Sequence, residues 1–137
     1  MADAEQIRTE LVIGLVGAIG TNLPLVATRT GSLLTDAFDY TISPIGMSDL
    51  LEIVDWPDNR DLSPAKWDLR TQARMDAGRD LCQGWQDHDA LAQLAMLRIS
   101  QIRDEHNGDE SGKPLKRHAY ILRSLKRPAE VARLRAA

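Results

Sequence analysis

Residues Glu10 to Pro24 read ELVIGLVGAIGTNLP. The apolar run Leu11-Val12-Ile13-Gly14-Leu15-Val16 enters a loop that holds Gly17 and Gly20. Pro24 suits the first turn of a helix, where its missing N–H would have no partner anyway. This order predicts a strand over roughly 10–17, a glycine loop, then a helix over roughly 24–37. A phosphate-cradling loop needs G-x-x-x-x-G-K-[ST]. Its glycines let backbone N–H groups turn inward, its Lys reaches the terminal phosphates, and its hydroxyl holds Mg²⁺. On that frame Gly17 takes the first position. Asn22 stands at the second Gly, Leu23 at the Lys and Pro24 at the Ser/Thr. The scaffold of such a loop is present without its charged and metal-binding parts.

The rest of the chain alternates in the same way. A short strand is expected around Tyr40–Ser43, closed by Pro44-Ile45-Gly46, and Ser48 is placed to cap a short helix reaching Val54. The polar stretch DWPDNRDLSP over 55–64 is a loop. From Ala65 to about Trp85, Leu69, Ala73, Ala77, Leu81 and Trp85 recur at steps of four, which makes one apolar stripe of a long helix. A second long helix, 88–105, is apolar nearly all round. Residues 106–114 (HNGDESGKP) read as a flexible loop, 118–125 as a strand, and Pro128 opens a last helix over 128–136. Strands separated by helices imply parallel crossovers. The expected fold class is α/β, a three-layer parallel sheet with flanking helices, in one domain spanning 1–137. The near-continuous apolar run of the first strand predicts that both of its faces are covered.

Composition narrows the function classes. The 137 residues carry a net charge of −3, so neither nucleic acid nor a membrane surface is favoured overall. The balance is uneven. Residues 113–137 hold eight Lys/Arg against the single acid Glu130, while the rest hold nine against nineteen. That basic end is a candidate face for an acidic partner, RNA included. Cys82 is the only cysteine, which excludes a disulfide within the chain and suits a cytoplasmic location. No run approaches the length of a membrane span, and the acidic N-terminus lacks the basic start of a signal peptide.

Four stretches carry a resemblance: ELVIGLVGAIGTNL at the start, MDAGRDL at 75–81, DALAQLAMLRI at 89–99 and AYILRSLKRPAEVARLR at 119–135. In that order they resemble the N-terminal part of the bacterial antiphage deoxycytidine deaminases. Those proteins carry a phosphate-loop, nucleotide-kinase-like domain followed by a zinc-dependent cytidine deaminase domain that acts on dCTP or dCMP. The resemblance implies a degenerate phosphate-loop kinase-like domain that senses nucleotide and regulates an attached or cognate deaminase domain. The deaminase signature H-x-E with P-C-x-x-C is absent. None of His88, His106 and His118 is followed two residues later by Glu, and one cysteine cannot supply C-x-x-C. The resemblance also implies an acid near Mg²⁺ at the end of the strand over 118–125, where this chain has Arg123.

The candidate nucleotide- or phosphate-binding residues are Gly17, Ala18, Ile19, Gly20, Thr21 and Asn22, with Arg123, Lys126 and Arg127 supplying positive charge from the other strand end. No catalytic residue and no metal ligand is expected. The candidate ligand is a nucleoside triphosphate, and with Lys, hydroxyl and acid all lost a role for Mg²⁺ is doubtful. Each group also has an ordinary reading: a tight strand-to-helix turn for the glycines, solvated or interface charges for the cations. Trp56, Trp67 and Trp85 read as base-stacking surfaces or as packing anchors. His118 reads as a polar residue at a strand edge. The competing function is a structural or assembly module, a homo-oligomer or a dock for regulatory RNA. A small active nucleotide kinase fits the substitutions least.

Overall fold

A computed structural model describes residues 9–18, 20–108 and 112–137. The elements run β1 (Leu11–Leu15), α1 (Leu23–Phe38), β2 (Thr41–Gly46), a 3₁₀ helix (Met47–Ile53), α2 (Trp67–Trp85), α3 (Ala90–Asn107), β3 (His118–Arg123) and α4 (Pro128–Ala136). The sheet is parallel throughout, in the order β1-β3-β2. Helices flank it, so the α/β class expected from the sequence is the one observed.

β3 is the central strand, and five of its six residues are buried. The register sets Ile13, Ile121 and Pro44 side by side on one face and Gly14, Leu122 and Ile45 on the other. α1 covers the first face. A Cβ on its Gly31 would touch Ile42 and Ile121 at ordinary contact distance. The main core lies on the second face, where Ile45, Tyr120 and Leu122 pack with Met47, Leu50, Leu51, Leu81, Leu94 and Ile99.

Several expectations are corrected. β1 is an edge strand rather than one covered on both faces, because β3 occupies the centre; Val12 is 47% exposed and Val16 66%. β2 runs on through Pro44 to Gly46, because Pro44 sits where no ladder N–H is required. Ser48 does not cap a helix. The cap position of the 3₁₀ helix is Gly46, without a side-chain bond. The α2 stripe is partial: Ala77 and Leu81 are buried, whereas Leu69 is 52% exposed and Trp85, expected to anchor it, is 47% exposed. The stretch expected to be a loop from His106 continues α3 to Asn107, and residues 109–111 lie outside the described residues.

At the N-terminal end of the sheet a buried polar network ties β1 to α3 and β3. The Glu10 carboxylate accepts the N–H of Leu115 at 2.7 Å, the Tyr120 hydroxyl at 3.1 Å and the Arg103 guanidinium. Burial alone raises the Glu10 carboxyl, but these bonds outweigh it and its pKa lies below the ordinary value. Burial and the Glu10 charge push Tyr120 up to about 12. His118 is buried, not at a strand edge. Its Nε2 lies 2.7 Å from Ser43 Oγ and its ring meets His106 edge-on at 5.2 Å. Burial, then the charge of His106, lowers its pKa.

Candidate functional site

In a parallel sheet the strand ends that point toward following helices gather three connections at one rim, where ligands of open α/β sheets bind. Here these are the β1–α1 loop, the turn from β2 into the 3₁₀ helix, and the β3–α4 turn. β3 and β1 are locked at this rim, because the N–H groups of Ser124 and Leu125 both donate to Leu15 C=O, at 3.1 and 3.2 Å.

The β1–α1 loop is bonded to itself. Thr21 N–H donates to Ala18 C=O at 3.0 Å and Leu23 N–H to Thr21 C=O at 2.9 Å. Asn22 caps α1: its side chain accepts Leu25 N–H at 3.1 Å, and Pro24 has no N–H to offer. A helix N-terminus attracts anions through its first free donors. In α1 those of Leu23 and Leu25 are engaged. Gly20, at φ +92, takes a backbone conformation that favours glycine, and a Cβ on Gly17 would press on Leu23 and Thr21 at 3.0 and 3.2 Å. Ile19 lies outside the described residues.

Arg123, Lys126 and Arg127 are not brought to one place. Arg123 ends β3 and lines a groove of about 530 Å³ between α1 and β2. Its Nη2 lies 3.9 Å from Asp49 Oδ2, and its buried Nε makes no hydrogen bond among the described residues. Lys126 and Arg127 face the opposite side of the sheet, into a cleft of about 520 Å³ between α2 and the β3–α4 turn. Arg70, Arg74 and Trp67 of α2 line the same cleft.

The cleft is cationic with an aromatic lip. Trp67 is 73% exposed. Arg74 is held in a frame of acceptors: Glu52 at 2.9 Å, Ser48 Oγ at 3.2 Å, Leu62 C=O at 3.1 Å, and the Asp49 carboxylate. Arg70 donates to the carbonyls of Pro64 and Ala65, at 3.2 and 3.4 Å, and has no acid partner among the described residues. Lys126 likewise makes no ion pair there. Arg127 lies 3.5 Å from Glu130. Charge in the cleft is therefore positive beyond what its own acids balance.

Glu130 builds the turn. Its side chain is 1% accessible, and Oε2 accepts the N–H of Lys126 at 3.0 Å and of Arg127 at 3.4 Å. A carboxylate at the third helical position reaching back over the helix start is a capping arrangement, and α4 has it with Pro128 at its opening. Sequence reading missed Glu130, Arg70 and Arg74 as site residues. The signals were present: Pro128-x-Glu130 at a helix start, and two arginines four apart on one helix face. Among the described residues no three His, Cys, Asp or Glu side chains gather to hold a metal ion, and no helix is long and apolar enough to cross a membrane.

No protein-family model, curated protein or solved structure matches this chain.

Proposed function

We propose that the chain is a nucleotide-sensing module with a degenerate phosphate-loop, kinase-like fold, which regulates a deoxycytidine deaminase in an antiphage system and transfers no phosphate itself. One observation carries the reading: the cleft beside the β3–α4 turn, where Lys126, Arg127 and Arg70 offer charge and Trp67 offers a ring. Phosphate oxygens are recognised by such donors, and a base stacks on an exposed indole. The loop over 17–22 shapes the rim, while the cations come from β3–α4 and α2. The missing loop Lys and hydroxyl and the arginine at 123 set the reading apart from a phosphotransferase.

The test is thermal unfolding with ATP, GTP, dCTP, dCMP and dTTP, each with and without Mg²⁺. A ligand at 100 times its Kd stabilises by about 2.7 kcal/mol, a shift of several degrees for a chain of 137 residues. A selective shift that does not need Mg²⁺ is the expected result, with a deoxycytidine nucleotide the best ligand. No shift with any of them at millimolar concentration sinks the reading and leaves the assembly function.

A further inference from the structure

The two outer strands of the sheet treat their free edges differently. Leu15 C=O accepts two N–H groups from the β3 exit, so Leu15 turns its backbone groups toward β3. By alternation Leu11 and Ile13 do the same, and Val12 and Gly14 turn N–H and C=O outward, with Val16 continuing the row. Carried across β3 by the register, the alternation turns Ile42, Pro44 and Gly46 outward on β2. Pro44 has no N–H and sits mid-edge, which blunts that side of the sheet. β1 has no such device: no Pro, no charged residue and no bulge.

The apolar surface continues on both sides of the β1 edge. On one side Val12, Val16 and Leu134 line a groove of about 330 Å³ beside α4. On the other, α1 presents a flank. Its Pro24, Thr28 and Thr35 line the groove toward β2, and Leu23 and Ala27 are buried against the sheet. Helical spacing then puts Val26 and Leu33 on the opposite flank, toward β1. They are 42% and 62% exposed. Among the described residues nothing pairs with this edge, and it lies between two flanks of exposed apolar side chains, one of them rimmed by Arg135, which is the mark of an interface.

We infer that the occupant of this edge is a second copy of the chain, joined through β1 about a two-fold axis into one continuous sheet. The pattern of β1 is self-complementary. Antiparallel pairing centred on Gly14 puts Gly14 opposite Gly14 of the other copy, and each Val12 opposite the other copy's Val16. Residues 11–28 contain no charged side chain, so a two-fold axis opposes no like charges along the strand. Head-to-tail pairing of β1 with another copy's β2 meets Pro44, whose missing donor interrupts the ladder. The two-fold pairing completes the β1 edge of each copy and leaves outward only the β2 edges that Pro44 blunts.

The experiment is size-exclusion chromatography with light scattering on the full chain, with far-UV circular dichroism as the folding control. The unaltered chain is expected at twice its 15.2 kDa mass, and Val12→Lys, with unchanged dichroism, at the single-chain mass. Adding Val16→Glu to Val12→Lys is expected to restore the dimer, because each introduced ammonium then faces the other copy's introduced carboxylate. Hydrogen exchange on the unaltered chain supplies a readout that needs no variant: the amides of Val12 and Gly14 gain protection as concentration rises. A chain at single mass at every concentration overturns the inference, and so does a dimer whose Val12 and Gly14 amides stay unprotected, which places the contact elsewhere.

Discussion

Glu130, fully buried in the first turn of α4, accepts the backbone N–H of Lys126 at 3.0 Å. The only acid of the basic end thus holds the turn from which Lys126 and Arg127 reach the cleft. A buried carboxylate that loses its charge or its geometry leaves two backbone donors unpaired. Glu130→Ala is expected to destabilise the chain by about 1–3 kcal/mol for each donor left unsatisfied and to abolish nucleotide-dependent stabilisation. Chemical denaturation with and without the best ligand measures both.

Lys126→Ala separates binding from folding. The ammonium is exposed and makes no ion pair among the described residues, so its loss is expected to change stability by less than about 0.5 kcal/mol. Ligand affinity is expected to fall by about 1.5–3 kcal/mol, the worth of a hydrogen bond to a charged group. Titration calorimetry at two salt concentrations checks this, with the weaker salt dependence expected in the variant.

The Glu10 network is expected to be the most sensitive polar site of the fold. Glu10→Ala leaves the Arg103 guanidinium, the Leu115 N–H and the Tyr120 hydroxyl without their common acceptor. The Arg103 side chain stays 27% exposed, so the loss comes mainly from the Leu115 N–H and the Tyr120 hydroxyl left unsatisfied, about 1–3 kcal/mol for each. A melting temperature within a degree or two of the parent chain would contradict that assignment.

His118 makes stability depend on pH in a stated direction. Its folded pKa lies below 6.5 because burial, then His106, disfavours the charged ring. The unfolded chain therefore binds the proton more readily. Stability from this group is fully present above about pH 6.5 and falls as pH drops toward the lower folded value. Melting curves from pH 7.5 downward are expected to show the loss, and His118→Gln, which keeps a donor and acceptor near Ser43, is expected to flatten it.

Gly78 lies inside α2 on the wall of the cleft, and a Cβ there would meet nothing within 4 Å. Gly78→Ala is expected to stabilise the chain by about 0.5–1 kcal/mol, because glycine in a helix interior costs that much relative to alanine. A loss of stability on denaturation would show that the site tolerates no added methyl.

Local chemistry was enough to read the element types and the strand-to-helix turn. Apolar runs bounded by Gly and Pro marked three strands, four-residue steps marked α2, and Pro24 and Pro128 marked two helix starts, because these signals act within a few residues of chain. Strand order lay beyond them. β1 (LVIGL) is the more apolar strand in sequence and β3 (HAYILR) carries a His and an Arg, yet β3 is central and β1 an edge, which the pairing of residues more than a hundred positions apart decides. The division of the cations followed the same rule. Arg123 and Lys126 are three residues apart, but the end of β3 separates them onto opposite sides of the sheet. Glu130 read as an isolated acid until the fold of α4 brought it back over the turn, and His118 as an edge residue until α3 covered it. The sequence by itself determined which segments are strands and helices; tertiary packing alone decided which edge stays open and which charges share a cleft, because both depend on contacts between segments far apart in the chain.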